Sequence, residues 1–147
     1  MIHNSCFMPV AKYPDAIIPT RATFESVGYD MFCAEDTVIE PHSIKLVSTG
    51  VKCYLWPDEW LMLASRSSTP LKKGLMLING IGVIESDYAD NPDNEGEIMA
   101  QLYNFTDEPI TIPKGDRLVQ GVIMHRYVLD MDKHEQAWRM GGFGSTK

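Results

Sequence analysis

Apolar and polar positions alternate in short runs along this chain. In HSIKLVSTGVKCYL, Val51, Cys53 and Leu55 fall on one side and Lys52 and Tyr54 on the other, the period-two pattern of a half-buried strand. GEIMAQLYNF sets Ile98, Ala100 and Leu102 on one face, and WLMLASR is a brief apolar run that ends at Arg66. EPITIPKGDRLVQGVIMHRYV reads as a strand, a turn at Lys114–Gly115–Asp116 and a second strand. Nine prolines, from Pro9 to Pro113, keep the segments between them short. One helical turn is expected near Thr69–Lys73, since Pro70 is tolerated in a first turn. The polar, acidic DYADNPDNEGE reads as a long hairpin loop. Short strands joined by Gly, Pro and Asp turns predict an all-β sandwich or barrel. From Met131 onward the chain holds too few core residues for a further strand, so residues 1–130 are read as the domain and 131–147 as an arm. Such a tail is expected to pack on another subunit or to lie over a ligand.

Composition narrows this picture. The 147 residues suffice for one domain with a core, and 44% hydrophobic with 22% charged residues is ordinary for a globular protein. A net charge of −7 argues against non-specific nucleic-acid binding, though local donors can still hold a small anion. Cys6, Cys33 and Cys53 have neither zinc nor disulfide spacing and are expected as small apolar residues in a reducing compartment. The four histidines show no metal-ligand spacing, and His125 on an alternating strand reads as structural. No apolar run is long enough to span a membrane and no signal-peptide pattern opens the chain, so a cytoplasmic location is expected.

Four stretches carry candidate chemistry. ASRSSTPLKKG offers Arg66, Ser67, Ser68 and backbone N–H groups, equipment for an oxyanion or phosphate, or else a solvated turn. INGIGVIESDY brings Gly80 and Gly82, where a ligand can approach the backbone, ahead of Glu85 and Tyr88. Glu85 reads as a base for a water molecule or as a solvent-facing carboxylate of a hairpin. Asp30, between Tyr29 and Met31, needs a partner if buried: a paired charge, a nearby metal or backbone N–H groups. KGDRLVQG supplies Gln120, with Asp116 and Arg117 able to pair across a turn.

Taken together with the closing GGFGST, these stretches resemble the five ordered motifs of the homotrimeric deoxyuridine triphosphate nucleotidohydrolase (dUTPase) family, of the bacterial or bacteriophage type. They stand here as SVGYDM (Ser26–Met31), ASRSST (Ala64–Thr69), INGIGVIESDY (Ile78–Tyr88) with EGEI, KGDRLVQG (Lys114–Gly121) and GGFGST (Gly141–Thr146). The resemblance implies a distorted jelly roll (β-clip) with a flexible C-terminal arm. It also implies a homotrimer with sites at subunit interfaces, and magnesium-assisted hydrolysis of dUTP to dUMP and pyrophosphate. That activity limits uracil incorporation into DNA and supplies dUMP.

By the same resemblance, Asn79 and the backbone through Gly82 and Ile84 read uracil, and Tyr88 lies beneath the deoxyribose. Ser67 touches the phosphates near the scissile bond, Ser68 and Arg66 support phosphate binding, and Gln120 reaches the phosphates from another subunit. Asp30 stands near metal-bound water, with magnesium held mainly by phosphates and waters. Phe143 stacks on uracil, and Gly144, Ser145 and Thr146 close over the phosphates, with Arg139 the nearest basic residue for the γ-phosphate. The chain departs from the family pattern at Glu85, where aspartate is usual, a change expected to lower activity. It departs again at Ala89–Glu95, an insertion read as a tolerated surface loop or as a contact for a regulatory protein. Two other readings stand beside the hydrolase: a nucleotide-gated regulatory protein with weak turnover, and a dCTP deaminase.

Overall fold

The computed structural model describes residues 4–132 and 139–144, and among them are twelve strands and one short helix. The first half of the chain gives β1 (Cys6–Pro9), β2 (Thr20–Arg21), β3 (Gly28–Phe32), β4 (Thr37–Ile39), β5 (Ile44–Ser48), β6 (Val51–Tyr54) and β7 (Glu59–Ser65). After the helix α1 (Ser68–Lys73) come β8 (Leu75–Leu77), β9 (Gly82–Glu85), β10 (Met99–Asn104), β11 (Ile110–Ile112) and β12 (Arg117–His125). The strands form four antiparallel sheets: β2-β3-β12-β7-β9, β5-β10-β8, β1-β6 and β4-β11. None closes into a barrel among the described residues, and the arrangement is the expected all-β, distorted jelly roll.

The alternation in the sequence builds the core. Ile98, Ala100 and Leu102 are fully buried, and they meet Met31, Leu61, Leu63, Val47 and Val119 in one cluster drawn from several sheets. Asn104 is buried at the end of β10 with its amide satisfied. Its Nδ2 donates to the Ile39 and Glu108 carbonyls at 3.0 and 2.7 Å, and Oδ1 accepts from the Thr106 N–H at 2.9 Å. The helix starts where expected and stops at Gly74, whose left-handed φ of 67° ends it.

Three expectations are corrected. DYADNPDNEGE does not close a hairpin: β9 pairs with β7, whereas β10 pairs with β5 and β8 in another sheet. The connection crosses between sheets, and local pattern carries no information about that choice of partner. Arg117 does not pair with Asp116; it approaches Asp30 at 3.5 Å, and Lys73 lies 3.9 Å from Asp116. The cause is a bulge. Arg117 stands opposite Phe32 and Val119 opposite Met31, so Leu118 is extra and the strand is re-aimed. Finally, Cys6 is exposed on β1, while Cys33 and Cys53 are buried as expected, and all three are free thiols. Among the described residues no helix is long and apolar enough to cross a membrane.

Candidate active site

The five-stranded sheet carries two chemically different places. At one end, Asp30, Arg66, Ser67 and Gln120 line a cavity of about 340 Å³ together with Ser26, Val27 and Gly28. Strand pairing brings them there: Asp30 on β3 faces Gln120 on β12, which faces Ala64 on β7, two residues before Arg66. Asp30 is buried, and Arg66 donates Nε to it at 2.9 Å while Arg117 stands beside its other oxygen. Of the arrangements expected for a buried Asp30, pairing is the one found: guanidinium groups from β12 and from the turn after β7 hold it. Gln120 donates Nε2 to the Ser65 carbonyl at 3.0 Å and lies across Gly28. A Cβ at Gly28 would come within 2.3 Å of Gln120 Oε1, so glycine is needed there. Ser67 is exposed at the helix N-cap and makes no capping hydrogen bond, which leaves its hydroxyl free; Ser68 follows as the first helical residue.

The second place lies along β9, the edge strand of the same sheet. Asn79 and Gly80 form the exposed turn before it, with Gly80 at φ 76°. Gly82 packs on β7, where a Cβ would sit 2.8 Å from Leu63 Cβ. One edge of β9 pairs with β7, and among the described residues the other edge carries no strand, from Gly82 through Ile84 to Glu85. Tyr88 follows, buried, its hydroxyl donating to the Glu97 carbonyl and accepting from Asn94 Nδ2, each at 2.8 Å. Burial pushes the phenol pKa up, so it remains a donor at neutral pH.

Residues 139–144 reach this second place. Arg139 donates to Glu85 and, through Nε at 2.9 Å, to Asp87, and braces its own turn through the Gly141 carbonyl. Gly141 is buried, and a Cβ on Gly142 would lie 2.7 Å from Tyr88 Cε2. Phe143 is exposed at φ 52°, and Gly144 follows at φ 88°. Ser145 and Thr146 lie outside the described residues.

The structure therefore gathers Asp30, Arg66, Ser67 and Gln120 in one place and Glu85, Tyr88 and Arg139 in another. Along the sheet they are far apart. Asp30 shares a row with Gln120 and Ala64, whereas Glu85 shares a row with Trp60, so three strand spacings and four residues separate them, roughly 20 Å. Two contributors escaped the sequence reading. Arg117 pairs with Asp30 rather than with its neighbour Asp116, and Gly28, inside SVGYDM, makes room for Gln120 only because β3 and β12 are neighbours.

The loop Ala89–Glu95 is itself ordered around a charge. Lys52, expected on the outward face of its strand, is buried there under Ala89–Glu95, donating to Asp90 at 2.5 Å and Glu95 at 2.9 Å. Tyr54 donates to Asp90 at 2.6 Å and the Ala11 N–H to Glu95 at 2.9 Å.

The dUTPase family model matches residues 14–147. The chain belongs to the dUTPase family. It is 51% identical over 143 residues to the deoxyuridine 5'-triphosphate nucleotidohydrolase of Lactococcus lactis subsp. lactis, covering 95% of each chain. It is 35% identical over 138 residues to that of Helicobacter pylori, covering 91% of each. Among solved structures, the dUTPase from Streptococcus mutans superposes with a TM-score of 0.84 at 47% identity, over 85% of this chain and 98% of that one. A dUTPase from phage phi11 of S. aureus, at 21% identity and a TM-score of 0.74 over 92% of this chain and 98% of that one, shares the fold. In dUTPase-family terms, four of the five motifs fall wholly within the described residues and the fifth is described as far as Gly144.

Proposed function

We propose that this protein hydrolyses dUTP to dUMP and pyrophosphate by attack of water on the α-phosphorus, supplying dUMP and limiting uracil in DNA. The observation that carries the reading is the free edge of β9, running from the Asn79 turn into Glu85 with Tyr88 just beyond. Uracil presents a donor between two acceptors, a pattern that fixed N–H and C=O groups of an unpaired strand edge can meet and that cytosine does not offer. Close backbone approach at Gly80–Ile84 excludes the methyl of thymine. Tyr88 supports the deoxyribose and disfavours a 2′-hydroxyl.

Ser67, Ser68, Arg66 and Gln120 hold the phosphates, and their shared cavity supports that role. Glu85 accepts a proton from the attacking water as oxygen bonds to the α-phosphorus. The bond from that phosphorus to the bridging oxygen breaks, and pyrophosphate leaves with the electron pair. Residues from 131 onward act as the arm: Phe143 stacks on the base, and Gly144, Ser145 and Thr146 close over the phosphates and exclude other water. Phosphate oxygens compete with Glu85 and Asp87 for Arg139.

Magnesium fits this donor set as an ion held by phosphate oxygens and water with Asp30 beside it. Among the described residues no three His, Cys, Asp or Glu side chains gather into a cage, and Asp30 is already engaged by two guanidinium groups. When bound, it supplies charge neutralisation along the triphosphate.

The roughly 20 Å between the two places supports a site shared between copies, as in a homotrimer. Exposed Ile44, Leu46 and Met76 lie on one face of β5-β10-β8 and offer apolar surface for such contact. Pyrophosphate release from dUTP, measured with magnesium beside dCTP, dTTP and UTP, tests the proposal. Release selective for dUTP is expected. Ammonia from dCTP would make the protein a deaminase, and tight dUTP binding without release would make it a nucleotide-gated regulator.

A further inference from the structure

We infer that the Ala89–Glu95 insertion is a brace that fixes the height of the Tyr88 ring, so that Lys52 and Asn94 are positioning residues for sugar discrimination. The inference rests on the reading of Tyr88 as the platform beneath the deoxyribose.

Residues of the insertion hold Tyr88 at both its carbonyl and its hydroxyl. The carbonyl accepts from Asn91 Nδ2 at 2.8 Å and from the Asn91 N–H at 3.3 Å. The hydroxyl accepts from Asn94 Nδ2, so the one acceptor contact of the phenol comes from the insertion itself. Asn94 cannot turn away easily, because its Oδ1 accepts from Asn91 Nδ2 at 2.8 Å and from the Gly96 N–H at 3.0 Å. Gly142 packs against the ring as well: a Cβ there would come within 2.7 Å of Tyr88 Cε2.

The brace has its own foundation. Asp90 and Glu95 take left-handed backbone angles, φ 60° and 62°, which non-glycine residues hold only when their surroundings fix them. Lys52 supplies that fixing by binding both carboxylates, with Tyr54 and Ala11 adding a hydrogen bond to each. Gly96 closes the loop where a Cβ would come within 2.6 Å of Ala89 Cα. A shorter connection from Tyr88 to Gly96 would carry neither Asn94 nor the two carboxylates.

The ring's height sets the room left for a 2′-hydroxyl, so loosening the brace should act on selectivity before chemistry. The test compares kcat and KM for dUTP and UTP in wild type, Asn94→Ala, Lys52→Met and Lys52→Arg, with thermal melting to establish folding. In Asn94→Ala the dUTP:UTP ratio of kcat/KM should fall about tenfold, mainly through a lower KM for UTP, with kcat for dUTP within about twofold. Lys52→Met should lose more, and Lys52→Arg should restore most of it. If Lys52→Met fails to fold, Asn94→Ala decides. An unchanged ratio in a folded Asn94→Ala protein overturns the brace while leaving the hydrolase reading intact. Absence of dUTP turnover and binding in wild type overturns that reading and the brace with it.

Discussion

The cavity at Asp30 and the β9 edge at Glu85 are both polar places on the same sheet, yet they are built in opposite ways. Asp30 is buried, and its partners stand on or beside neighbouring strands, so the ladder itself fixes the charges. Glu85 is exposed, and its partner Arg139 arrives from the arm. The first place is organised by the strand ladder and the second by a contact with residues far along the chain. In the proposed reading, a phosphate cradle gains from fixed dipoles and charges, whereas a base that must admit one water gains from a partner that phosphate can draw away.

Substitutions at the two ends should therefore fail differently. Glu85→Gln removes the proton acceptor and should lower kcat about a thousandfold with little change in melting temperature. Steady-state kinetics and calorimetry on the same preparation check both halves of that statement; retained turnover would deprive the edge of its assigned chemistry. Asp30→Ala leaves Arg66 and Arg117 without their carboxylate and should cost about 2–4 kcal/mol of stability, read by chemical denaturation. A stable Asp30→Ala protein would mean the cavity is not a folding-organised site.

Glu85→Asp sharpens the contrast. Shortening the side chain by one methylene moves the carboxylate about 1 Å, and kcat should rise about tenfold if the glutamate is misplaced. A lower rate would show that the β9 edge and Arg139 are fitted to glutamate.

The smallest effect concerns the brace at Lys52. Burial works to raise the Asp90 pKa, but hydrogen bonds from Lys52 and Tyr54 outweigh it and hold the carboxyl below its ordinary 3.8. The Ala11 N–H and then Lys52 hold Glu95 below 4.5. Burial also opposes the charge on Lys52, yet its two carboxylate partners raise its pKa above the ordinary 10.5. A carboxyl lowered on folding contributes stability above its unfolded pKa and loses it as pH falls through the folded value. Melting temperature should thus drop as pH falls below about 4, and Lys52→Met should flatten that drop. Identical acid profiles would remove Lys52 from the brace.

Much of this was legible in the chain. The alternation around Ile98, Ala100 and Leu102 names a core face, and the motifs single out Asp30, Arg66, Ser67 and Gln120, which the fold brings to one cavity. What stayed hidden depends on long-range partners. Period-two pattern says which way a side chain points, not which strand lies beside it, so β9 and β10 looked like one hairpin. The same pattern set Lys52 outward correctly and missed that a loop from residues 89–95 would cover it. Arg117 found Asp30 through a bulge, a one-residue shift that composition does not announce.

The distance along the sheet between Asp30 and Glu85 has a genetic meaning. If each site is shared between copies, as proposed, a chain ruined at Glu85 still carries a sound Asp30 cavity, and a chain ruined at Asp30 still carries a sound β9 edge. Co-expressed, two alleles that are each inactive would then form mixed oligomers in which some sites draw one good half from each parent. Activity would return without either lesion being repaired.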